Sequence, residues 1–158
     1  MSDLRIDTAI EQLLAILQEA MDGATGGSWF IDSGDGSGLL PSLARIDAAS
    51  ASKPVAGSSI AAHAHHLAFG MEASAAWIRG ERTPRNWKES WRRTVVDDDE
   101  WPRLQEELTR RYHDLRSAIQ SHAADGAESI GGAIGALAHV AYHLAAIRQK
   151  YLCSALIP

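Results

Sequence analysis

Apolar residues recur at three- and four-residue steps along most of the chain. Leu4, Ile6, Ile10, Leu13, Leu14, Leu17 and Met21 form one such stripe and predict an amphipathic helix over about residues 3–22. Gly23, Gly26 and Gly27 end it. Within the glycine-rich stretch 22–38, Trp29-Phe30-Ile31 is expected to fold back onto the helices as an apolar anchor. The run from Ser33 to Gly38 fits neither a calcium loop nor a phosphate loop and reads as a turn. Leu39 to Ala49 predicts a short helix, closed by polar serines and Pro54.

Ser58 or Ser59 then caps a second long helix over about 59–79, striped by Ile60, Ala64, Leu67, Met71, Ala75 and Ile78 and stopped by Gly80. Residues 80–97 form a connector rich in Trp and Arg. The acidic run Asp97-Asp98-Asp99-Glu100 suits a helix N-terminus, where carboxylates meet free amides and the positive end of the dipole. A third helix follows over about 99–122 on Trp101, Leu104, Leu108, Tyr112, Leu115 and Ile119. A fourth runs over about 129–154 on Ile130, Ile134, Leu137, Val140, Leu144, Ile147 and Tyr151. Four long amphipathic helices, with no convincing strand and no repeat, predict an all-α four-helix bundle as a single domain over 1–158. Long connections between helices one and two, and two and three, argue against an up-down-up-down order with short loops.

Composition narrows the class. The chain is 46% hydrophobic and 22% charged, with a formal net charge of −5, so it is not built mainly to coat nucleic acid. Arg79 to Arg93 interleaves basic residues with Trp87 and Trp91, which fits nucleic-acid stacking less well than a lid whose indoles pack while its arginines stay wet. No uninterrupted apolar run reaches the roughly 20 residues of a membrane span. No secretory signal is evident, and Cys153 is the single cysteine, so a cytoplasmic protein without disulfides is expected.

The chemistry lies in the histidines. His63, His65 and His66 cluster on helix two, and His139 and His143 lie at i,i+4 on helix four. That spacing stacks two imidazoles about 6 Å apart on one face, suited to one metal ion. A third imidazole from helix two completes a three-histidine set with a position left for water or substrate, the pattern of a catalytic site. On a wheel of about 100° per residue, His139 and His143 flank their apolar stripe, so a site there is expected to be open. The same wheel admits His66 or His63 as third ligand and turns His65 away. Arg148, near its apolar stripe, needs a partner, and a structural carboxylate is expected over an anionic substrate.

The segments Ser59–Leu67 and His139–Gln149, with Asn86-Trp87-Lys88-Glu89-Ser90-Trp91 and Glu100-Trp101, resemble the DinB/YfiT-like superfamily over about residues 37–152. The resemblance implies a four-helix bundle, a homodimer and a divalent ion held by three histidines. It also implies that the ligands are His66, His139 and His143, with His63 left as a neighbour. Ala145 departs from the glycine of many relatives, which alters packing and not ligation. Zn2+ and Ni2+ both suit imidazole. His139-Val140 breaks the His-Glu-x-x-His pattern of zinc proteases, and no carboxylate lies one turn from the ligands. The resemblance adds transferases and isomerases that use low-molecular-weight thiols. The expected function is thus metal-assisted hydrolysis or thiol transfer on a small-molecule substrate, against a non-catalytic bundle that serves dimerisation or partner binding.

Overall fold

The structure, a computed structural model, describes residues 2–32, 34 and 36–156. Six helices form: α1 (Ser2–Asp22), α2 (Leu39–Ala44), α3 (Ala48–Ser52), α4 (Ile60–Ile78), α5 (Glu100–His122) and α6 (Ala127–Leu156). Single 3-10 turns occupy Glu89–Trp91 and Ala123–Asp125. Among the described residues no strand forms, and only Val55 and Ser58 make an isolated bridge. The four long helices, α1, α4, α5 and α6, enclose one core that includes Leu17, Met21, Leu67, Met71, Leu108, Leu115, Leu144 and Ile147.

Cross-links fix the helix directions. Arg79 pairs with Asp114 at 2.6 Å and Arg111 with Glu72 at 2.8 Å, while Ser59 Oγ donates to Thr94 O at 2.6 Å where the chain enters α4 and nears α5. So α4 and α5 run parallel, which demands a crossover, and the 79–99 segment supplies it. α6 runs antiparallel to α4: Ser129 Oγ donates to Ile78 O at one end, and Lys150 Nζ donates to Val55 O at the other. α1 opposes α5, with Gln18 accepting from Arg116 and Asp22 from Tyr112. α4 is thus packed against α5, α6 and the crossover, and most of its residues are buried, which is why it is apolar over most of its surface.

The caps follow local chemistry. Ser59, not Ser58, caps α4 by accepting from Ala62 N at 3.1 Å. Asp97 and Glu100 form a reciprocal capping box: Asp97 Oδ1 accepts from Glu100 N, and Glu100 Oε2 accepts from Asp97 N. The helix expected over Leu39 to Ala49 breaks in two, because Asp47 accepts from Ser50 N at 2.7 Å and starts α3 afresh.

Three expectations are corrected here. Of Trp29-Phe30-Ile31 only Ile31 is buried; Trp29 is 70% and Phe30 45% exposed. The anchor of this loop is Glu19, buried on α1, whose carboxylate accepts from the N–H of Trp29, Phe30 and Ile31 at 2.7 to 3.0 Å. Burial works to raise its pKa, but the three amides outweigh it and hold the carboxyl below its usual value. Arg148 makes no carboxylate pair among the described residues; it borders a cavity beside Arg45 and Tyr151. Finally, Ala127–Ser154 of α6 is long and apolar enough to cross a membrane by length and composition alone, which a search for an uninterrupted run missed. The turn expected at 33–38 includes Ser33 and Asp35, which lie outside the described residues; within it Ser37 N donates to Gly34 O.

Candidate metal centre

α4 and α6 face each other antiparallel, and that register brings His66 opposite His139 and His143. His66 Nε2 lies 3.0 Å from His139 Nε2, and His143 Nε2 lies 3.0 Å from the same atom. One ligand atom from each of the three residues can be chosen so that all lie within 4.8 Å of one another. Two imidazole nitrogens on one ion, each about 2.1 Å from it, stand roughly 3.0–3.4 Å apart, so the set fits a single ion. His66 and His143 are buried and His139 half-buried.

The far side of each buried ring decides which nitrogen faces the centre. Ser90 Oγ donates to Trp87 O at 2.6 Å, so it accepts from His66 Nδ1–H at 2.7 Å, and His66 Nε2 is left as a bare lone pair. His143 Nδ1 lies 2.7 Å from His63 Nδ1, and His63 Nε2 lies 3.0 Å from Ser58 Oγ. With His143 donating to His63 and His63 donating to Ser58, His143 Nε2 is bare as well. Three nitrogens then meet with at most one proton, that of His139, between them. A divalent cation replaces such a proton, and the donor set fits one.

Glycine makes room for the third ring. A Cβ on Gly70, one turn beyond His66, would lie 2.6 Å from His139 Cε1 and 2.9 Å from its Nδ1. The crossover roofs the cluster: Trp91 stacks on His66 with ring centroids 4.1 Å apart and 20° between planes, and meets His63 edge-on at 5.3 Å. Trp87 lies 6.0 Å from His66. His65 stays outside the trio, its Nδ1 donating to Ser90 O at 2.7 Å, so Ser90 ties the crossover to two histidines at once.

Sequence reasoning therefore named the three converging residues, and it misjudged their exposure. The wheel placed His139 and His143 beside the core, in the open; His143 is instead buried with Trp91 5.9 Å from its ring, which a wheel of α6 alone does not register, while His139 is half-buried. It also missed Ser90, Gly70, Ser58 and Lys150. Only the spacing of Ser58 to His63 could have signalled a local contact. His113 is exposed, and His122 Nδ1 lies 2.9 Å from Asp125 Oδ2 near the end of its helix.

Burial is the main cause that lowers the imidazole pKa values, to about 4 for His63 and His66 and about 3 for His143; His139 also falls. Lys150 adds a like charge near His63, and the neighbouring histidines act on His66 and His143. All are neutral at pH 7, the state a metal requires. The sign of the linkage follows. Below pH 6.5 the unfolded chain binds protons that these native rings refuse, so stability is full above that pH and drains as pH falls through about 4. Metal-free protein is expected to show a lower urea midpoint at pH 5 than at pH 7.5; an unchanged midpoint would contradict the buried neutral cluster.

Comparisons with protein-family models, with curated proteins and with solved structures give no match.

Proposed function

We propose that this chain is a metal-binding four-helix bundle of the DinB/YfiT-like type, with His66, His139 and His143 as ligands of Zn2+ or Ni2+. The observation that carries the reading is the meeting of three Nε2 atoms from two helices, two of the rings backed by side-chain hydrogen bonds. A divalent ion bound there would supply a Lewis acid that lowers the pKa of a coordinated water or thiol. Ser90 and His63 orient the ligands, and Trp91 restricts water.

Among the described residues no carboxylate hydrogen-bonds any of the three ligands; their partners are one another, His63 and Ser90. Hydrolysis gains from a general base, whereas a thiolate is itself the nucleophile. This supports transfer of a low-molecular-weight thiol to a small electrophile, with hydrolysis second. Metal-loaded protein given an alkylating electrophile is expected to turn it over only with a thiol present, and His139→Ala is expected to lose that activity. Turnover without thiol would assign hydrolysis, and no turnover by fully loaded protein would leave a non-catalytic bundle.

A homodimer belongs to the same proposal. α6 exposes Ile134, Tyr142 and Leu152, with Ala138 and Ala145 on the same stripe, an apolar face that a second copy would cover. Light scattering that shows a monomer at micromolar concentration would remove this part.

A further inference from the structure

Lys150 is 8% exposed, yet among the described residues no carboxylate pairs with it. Its Nζ donates to a single backbone carbonyl, Val55 O, 95 residues away in the chain. Lysine is almost never so buried unless paired, and one carbonyl offsets only part of what it costs to take an ammonium out of water. A methionine of similar length would fill the same space without that cost. Packing alone therefore gives no reason for a charge at this position. Val55, its acceptor, opens a tight turn. Ala56 at φ 50° and Gly57 at φ 84° both take positive φ, and Val55 and Ser58 bridge across them. Val55 N donates to Ser58 O at 3.0 Å, but Ser58 N reaches Val55 O only at 3.4 Å, beyond the usual range for such a bond. Lys150 is thus the stronger partner of Val55 O and pins the turn to α6.

The turn delivers Ser58 to the histidines. Ser58 Oγ lies 3.0 Å from His63 Nε2, and His63 Nδ1 lies 2.7 Å from His143 Nδ1. A neutral imidazole carries one N–H. With His143 Nε2 as a ligand atom, that N–H is on Nδ1 and donates to His63 Nδ1. The His63 proton then sits on Nε2 and needs an acceptor, and Ser58 Oγ is that acceptor. Lys150 and His143 lie seven residues apart on α6, two turns or roughly 10 Å along one face. α6 therefore holds both ends of one chain of contacts: Lys150 holds the turn, and His143 is the ring that the turn reaches through His63.

We propose that Lys150 is a positioning residue of the metal centre: by holding Val55 O it keeps Ser58 against His63, and so keeps His143 in the tautomer whose Nε2 can ligate. The proposal rests on the three-histidine reading above and adds how one of the three ligands is held.

The test compares wild-type protein, Lys150→Met, Ser58→Ala and the double variant, each loaded with Co2+, which imidazole also suits. Wild-type protein is expected to show hyperfine-shifted proton signals from the Nδ1–H of His66 and of His143 that exchange slowly with water. In both single variants the His143 signal is expected to be lost to exchange, while that of His66, which Ser90 holds, stays. Zn2+ affinity is expected to fall about tenfold in each, the lower end for a disturbed partner of a ligand, and no further in the double variant. A lower urea midpoint for Lys150→Met with an unchanged Zn2+ affinity and His143 signal would make the lysine a structural strut and overturn the proposal. Falls that multiply in the double variant would overturn it too. Should Lys150→Met fail to fold, Ser58→Ala decides alone, since an intact His143 signal there breaks the chain. Wild-type protein that takes up neither Co2+ nor Zn2+ would overturn the three-histidine reading and the proposal together.

Discussion

Glu19→Ala is expected to cost about 3–4 kcal/mol of stability, since hydrogen bonds to a charged group contribute about 1.5–3 kcal/mol each and part of that is recovered by water. The carboxylate is 5% exposed and accepts from three consecutive backbone amides. Its removal leaves the Ile31 amide buried without its acceptor, while the exposed positions of Trp29 and Phe30 let their amides find solvent. Glu19→Gln keeps one acceptor and is expected to fall between. The effect also has a pH sign: the folded carboxyl lies below its usual 4.5, so its contribution is full above that pH and is lost on acidification. Urea unfolding of the three proteins at pH 7 checks this, and a cost near zero for Glu19→Ala would contradict the assigned role.

Gly70→Ala is expected to separate metal binding from folding. The added Cβ would meet the His139 ring at 2.6 Å and drive it from its position between His66 and His143. Affinity for Zn2+ or Ni2+ is expected to fall about 10- to 100-fold, the range for disturbing the shell around a ligand. The helix itself gains, since alanine in a helix interior is about 0.5–1 kcal/mol better than glycine. The expected result is a metal-poor protein with an unchanged or higher urea midpoint. Wild-type affinity in this variant would show that the His139 ring does not need the space Gly70 leaves.

The four long helices were legible because each carries its own apolar period, and periodicity survives without knowledge of the partners. His139 and His143 were legible for a related reason: an i,i+4 pair is a local pattern. His66 against His63 was not decided by the wheel; the resemblance chose His66, and the structure shows why both belong near the site. His66 meets the other Nε2 atoms, and His63 stands behind His143. Ser90 was invisible because it lies 24 residues from His66 in an irregular crossover, and only the docked crossover brings its hydroxyl to the ring. The anchor of the 29–31 loop was misassigned because hydrophobicity suggested Trp29 and Phe30, whereas three free amides found a carboxylate. Arg148 was expected to need a partner from its place near the stripe, yet it borders a cavity that α6 and the 32–46 segment share.

The proposed centre is one divalent ion held by His66, His139 and His143. Its most direct test is elemental analysis of protein purified without a histidine tag, alongside His66→Ala and His139→Ala. About one Zn or Ni per wild-type chain is expected, from three imidazole ligands on a single ion, with loss of that metal in both variants. Wild-type protein that holds no metal after exposure to Zn2+ or Ni2+ and dialysis, or variants that retain it in full, would overturn the three-histidine centre.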